Sequence, residues 1–132
     1  MTELVTIDWL DSQKRIVLIT YHRDGWSWDD FYRALKQQYE LVESVPHSVD
    51  VIVDVRNSHW MPRGGSLLSG IRKAENPHAR QGRTVIVGAT GMVAAIAQTA
   101  TKLISSKRKF YFASTMDDAK TILDHNPAPQ VN

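Results

Sequence analysis

The chain has 132 residues and no cysteine, with 42% apolar and 23% charged residues and a formal charge of +2. That composition suits a soluble globular domain long enough to bury a core without covalent staples. It excludes disulfides, thiolate catalysis and cysteine-bound zinc or iron–sulfur centres. Met1-Thr2-Glu3-Leu4 does not read as a signal peptide, and no apolar run reaches the ~20 residues of a bilayer span. The expected location is the cytoplasm, with no transmembrane segment.

The small net charge hides an uneven distribution. Residues 1–56 carry ten acids against six bases, whereas residues 57–111 carry nine bases against one acid, Glu75. The basic residues group as Arg72-Lys73, Arg80, Arg83 and Lys107-Arg108-Lys109. Such a block can attract an anionic partner. Cations at helix C-termini have a plainer purpose, complementing the helix dipole and aiding solubility. Nucleic acid is not the expected partner.

In chain order, Val5–Leu10 alternates, with Val5, Ile7 and Trp9 on one side and Thr6, Asp8 and Leu10 on the other. A polar turn, Asp11-Ser12-Gln13-Lys14, leads to an apolar strand within Arg15–Arg23. Two strands so closely joined predict an antiparallel hairpin.

A helix is predicted near Ser27–Val45. Ser27 is the N-cap, Asp29 and Asp30 complement the dipole, and Pro46 ends the run. Trp28, Phe31, Leu35, Tyr39, Val42 and Val45, spaced three or four apart, form the predicted buried stripe.

Thereafter strand and helix alternate. Strands are predicted at Val49–Val55, Thr84–Ala89 and Phe110–Ala113, and helices near Gly65–Ala74, at Met92–Ile104 and at Asp117–His125. The β-branched runs with little alternation suit parallel strands covered by helices. A single domain is expected over residues 1–126, with 127–132 a disordered tail.

This β-β-α-β-α-β-α-β-α order over residues 3–125, with Val51-Ile52-Val53-Asp54-Val55 as an apolar third strand ending in aspartate, resembles the SpoIIAA-like family that contains the STAS domains. The resemblance implies an α/β fold: a five-stranded, mostly parallel sheet with an antiparallel first strand, and four helices. It further implies a non-enzymatic regulatory or protein-interaction module. In anti-sigma-factor antagonists the loop after this strand carries a phosphorylatable serine. Here that stretch reads Trp60-Met61-Pro62-Arg63-Gly64-Gly65-Ser66, and the family's serine position falls on Arg63 or Gly64. The usual phosphorylation motif is therefore missing.

The candidate contact surface runs from the strand end into the following helix: Asp54, Asn57, His59, Trp60, Arg63, Gly64, Gly65, Ser66 and Ser69. Gly64-Gly65 could offer amide protons to an anion, with Arg63 and Ser66 as further donors, or simply make a tight turn that Ser66 caps. Gly88-Ala89-Thr90-Gly91-Met92 is too short for a dinucleotide fingerprint and reads as a turn with Thr90 as helix cap. Asp50 and Asp54, about 13 Å apart along one strand, are too distant for paired acid–base work. Asp54 more naturally anchors the next loop.

His22, His47, His59, His78 and His125 show no metal-ligand spacing. No catalytic residue, metal or cofactor is assigned. A protein partner is expected. A homodimer stays open, as does a second function, carriage or sensing of a small apolar or lipid-like ligand by Trp26, Trp28, Trp60, Met61 and Met92.

Overall fold

The computed structural model describes residues 4–59, 79–90 and 110–125. The predicted helices near Gly65–Ala74 and at Met92–Ile104 lie outside these residues, as does the tail. The described elements are five strands, β1 (Val5–Trp9), β2 (Ile16–Tyr21), β3 (Val49–Asp54), β4 (Gln81–Val87) and β5 (Phe110–Ala113), with helices α1 (Trp28–Glu43) and α2 (Met116–His125). Among them, no helix is long and apolar enough to cross a membrane.

The strands form one sheet in the order β1-β2-β3-β4-β5. β1 is antiparallel to β2, with Val5 opposite Tyr21 and Trp9 opposite Val17. The other three pairings are parallel. This is the mixed α/β sheet predicted from the change of apolar period along the chain. β4 begins three residues before the predicted Thr84 because Gln81, Gly82 and Arg83, polar or small, also join the ladder.

Alternation along the strands separates two apolar layers. Val17, Ile19 and Tyr21 of β2 join Val49 and Val51 of β3 beneath Ala34 and Val42 of α1. On the other face Ile52, Val85 and Val87 meet Ala119 and Leu123 of α2. Ser27 caps α1 as predicted. Its hydroxyl accepts the Asp30 amide proton at 3.1 Å, and the Asp30 carboxylate accepts the Ser27 amide proton at 2.8 Å, a reciprocal capping box.

The buried line of α1 is rotated from the predicted stripe. Tyr39 is 50% exposed, while Gln38, a polar residue, is 7% exposed. Gln38 lies inside because its side-chain amide donates to Gln81 Oε1 at 2.6 Å, joining α1 to β4. A buried amide is tolerated when it is so paired.

Two members of the basic block are tied to the fold, one of them buried. Arg83 is buried against Asp50, with Nη2 at 3.0 Å from Oδ2, and donates from the same nitrogen to the Leu123 carbonyl at 3.1 Å. Arg80 donates to the Glu43 carbonyl at the end of α1. These cations tie the amino edge of the sheet to both helices, and Arg83 is withdrawn from the surface.

Candidate functional site

Parallel neighbours end at the same edge of a sheet, and ligands of α/β proteins commonly meet them there. Here β2, β3 and β4 bring three chain segments to that edge: His22–Ser27, Asp54–His59 and Gly88–Thr90. None of the polar side chains involved is near another in sequence except within its own segment. The sheet order alone assembles them.

The segment after β3 is held at nearly every residue. Val55 donates its amide proton to the Val87 carbonyl at 3.0 Å, and Ser58 closes a turn by donating to the Val55 carbonyl at 3.1 Å. Arg56 and Asn57 stand exposed on this turn. Asp54, buried at the strand end, accepts from the Arg56 amide at 3.1 Å, from its Nε at 3.0 Å and from its Nη2 at 2.8 Å. Burial pushes the Asp54 carboxyl upward, but the Arg56 hydrogen bonds and charge, with His22 adding to them, outweigh it and hold the group below its usual range.

A second clamp comes from the segment after β2. Gly25 has φ of +105°, a conformation that side chains other than glycine seldom adopt, and it turns the chain between Asp24 and Trp26. Asp24 Oδ1 accepts the His59 amide proton at 2.7 Å and lies 3.4 Å from the Ser58 hydroxyl. Trp26, inside the core, donates its indole Nε1–H to Ser58 Oγ at 2.8 Å. The Trp26 ring also packs on Tyr21, Trp28 and Phe31, with centroids 4.7, 6.0 and 6.5 Å away.

The third clamp comes from β4. His59 Nδ1 is 3.0 Å from the Thr90 hydroxyl. Gly88, with φ of +74°, lets the end of β4 pass against Arg56: a Cβ there would run into Arg56 Cγ and stand 3.0 Å from its Cα. Further along the edge, Thr6 and His22 pair through Oγ1 and Nε2 at 2.7 Å.

Of the residues singled out from sequence, Asp54, Asn57 and His59 come together at this edge. Trp60, Arg63, Gly64, Gly65, Ser66 and Ser69 lie outside the described residues. Sequence reasoning missed Asp24, Arg56 and Ser58, and gave Thr90 a cap role only. One signal was available for Asp24: it follows a strand that must neighbour Val49–Val55 if the crossover is short, so both strand ends share an edge.

The chemistry of the arrangement is that of a fastener. Asp54 and Asp24 both accept hydrogen bonds from main-chain amides and from side chains of the loop. Among the described residues, no three histidine, aspartate or glutamate side chains converge as a metal site would require. No family model, curated protein or solved structure matches the chain.

Proposed function

We propose that this chain is a non-enzymatic regulatory or protein-interaction module of the SpoIIAA-like, STAS-related type, and that its partner docks on the segment from Asn57 to Ser69, which begins at the carboxyl edge of the sheet. The single observation that carries the reading is the triple fastening of Arg56–His59 by Asp54, Asp24 and Thr90. A loop held from three strand ends presents the same exposed groups, Arg56, Asn57 and His59, in one arrangement. That preorganisation lowers the entropic cost of association. The carboxylates support such a role better than proton transfer, since each already holds the loop. The sheet order and the antiparallel first strand are consistent with the SpoIIAA-like resemblance. Carriage of an apolar ligand draws no support from Trp26, whose ring is enclosed by aromatic neighbours and whose N–H is bound to Ser58.

Affinity capture from lysate tests the reading. The wild type is compared with Trp60→Ala/Arg63→Glu, with Asp24→Ala, and with an amino-edge control, Glu43→Lys. A partner retained by the control but lost with the first two variants is the expected result. Identical partner lists for all four proteins would overturn it.

A further inference from the structure

The sheet has two outer strands, and they are finished differently. In β1 the bonds Leu10 N–H to Ile16 O and His22 N–H to Leu4 O show that the even-numbered residues exchange hydrogen bonds with β2. Val5, Ile7 and Trp9 therefore aim their main-chain groups outward. One of those outward donors is already engaged: the Trp9 amide donates to the carboxylate of Asp8 at 2.7 Å. Asp8, the exposed residue of β1, also places a charge on this outer strand. A charged side chain folded over its own edge discourages a further strand from pairing there.

Among the described residues, β5 has no such finish. The bond from Gly88 N–H to Ala113 O sets the register in which Tyr111 and Ala113 face β4. Phe112 consequently turns its N–H and C=O outward. Among the described residues, no strand pairs with that edge. The strand Phe110-Tyr111-Phe112-Ala113 contains neither charge nor proline, and Phe112 leaves 40% of its surface exposed. An uncharged aromatic outer strand is a template for main-chain pairing.

The sequence on either side of β5 selects the partner. Lys107, Arg108 and Lys109 immediately precede the strand, and Asp117 and Asp118, both exposed, follow in the first turn of α2. Two copies of β5 laid side by side in parallel would set like charge against like. Laid antiparallel about a twofold axis, the start of each β5, which the three bases precede in the chain, meets the end of the other, which the two acids follow. The same orientation brings Phe112 of one copy beside an aromatic residue of its partner, a cross-strand pairing that stabilises sheets. We infer that β5 is a self-association edge, through which two copies of this chain join antiparallel into one continuous ten-stranded sheet. The contact is isologous and closes on itself, so it yields dimers and not fibres. It is separate from the carboxyl edge and leaves that edge accessible.

Analytical ultracentrifugation of the full chain over a range of concentrations is the test, read beside Phe112→Lys, Lys107→Glu/Lys109→Glu and Asp117→Lys/Asp118→Lys. Urea unfolding of each variant reports whether it is folded. The wild type is expected to show a reversible monomer–dimer equilibrium, and Phe112→Lys to weaken it about tenfold or more. Each charge-reversed variant alone should be monomeric, and an equal mixture of the two should dimerise again. In hydrogen exchange, the Phe112 amide should slow as protein concentration rises. A wild type that stays monomeric at several hundred micromolar overturns the inference. So does a dimer indifferent to Phe112→Lys, reversed variants that each dimerise alone, or a β5 edge that pairs only with a strand of another protein.

Discussion

The indole N–H of Trp26 is bound to the hydroxyl of Ser58, 32 residues later, and that hydroxyl in turn lies beside Asp24. The bond joins the aromatic core to the loop after β3, so it couples packing to the candidate contact surface. Ser58 is fully buried. Replacing it with alanine strands an indole donor in the core, and an unsatisfied buried donor costs about 1–3 kcal/mol. Trp26→Phe removes the donor itself and leaves Ser58 beside Asp24, but it opens space among the rings. In urea unfolding, Ser58→Ala should lower stability by about 2 kcal/mol. In a double-mutant cycle with Trp26→Phe the losses should be strongly non-additive. Additive losses would mean that the bond contributes nothing.

Asp50 and Arg83 should respond unequally to substitution. Arg83 is the more deeply buried, with a side-chain exposure of 5% against 17% for Asp50. Its Nε and Nη1 find no acceptor among the described residues. Removing the aspartate leaves a buried guanidinium without its counter-charge, which costs about 3–5 kcal/mol. Arg83→Met instead removes the orphan donors and leaves a carboxylate that water can still reach. Asp50→Ala should therefore be more destabilising than Arg83→Met by about 2 kcal/mol, read from denaturation midpoints at constant slope. Equal losses would show that desolvation of Arg83 is not what sets the balance.

These residues mark where the sequence stopped being informative. The strands were legible because β-branched runs such as Val49–Val55 declare themselves locally, and the cap at Ser27 is a contact between near neighbours in the chain. Gln38 and Arg83 were not, because a polar side chain enters a core only when a distant partner satisfies it: Gln81 for one, Asp50 for the other. The site divides along the same line. Asp54 could be expected to anchor its own loop, two residues away, and it does hold Arg56. Asp24, Ser58 and Thr90 meet only through the adjacency of β2, β3 and β4, and no spacing in the chain announces that.

Gly88 links the backbone of β4 to the same loop. Its positive φ already disfavours a side chain by about 1–2 kcal/mol. A Cβ would also press on Arg56 and push it away from Asp54. Gly88→Ala should thus cost about 2–3 kcal/mol, with the excess over backbone strain partly relieved in combination with Arg56→Ala. It should also diminish partner capture at temperatures where the protein remains folded. Unchanged thermal stability of Gly88→Ala would show that the loop yields easily, against the view that it is held fixed.

Tyr21 supplies a test by pH. It is buried at the end of β2 against Trp26, and burial, with the Asp30 charge as a second cause, pushes its phenol well above the usual value of about 10. In the unfolded chain the phenol loses its proton near that usual value, while in the folded protein it keeps it. Above pH 10 the folded state therefore binds more protons than the unfolded state, and stability must fall as pH rises. The contribution is fully present below pH 10 and declines by up to about 1.4 kcal/mol per pH unit above it. Tyr21→Phe has no phenol to ionise and should lack this component. Urea midpoints measured at pH 9, 10 and 11 should show the wild type losing ground to the variant at each step above 10. A stability difference that stays constant over this range would place the Tyr21 hydroxyl in contact with water, contrary to the packing at the end of β2.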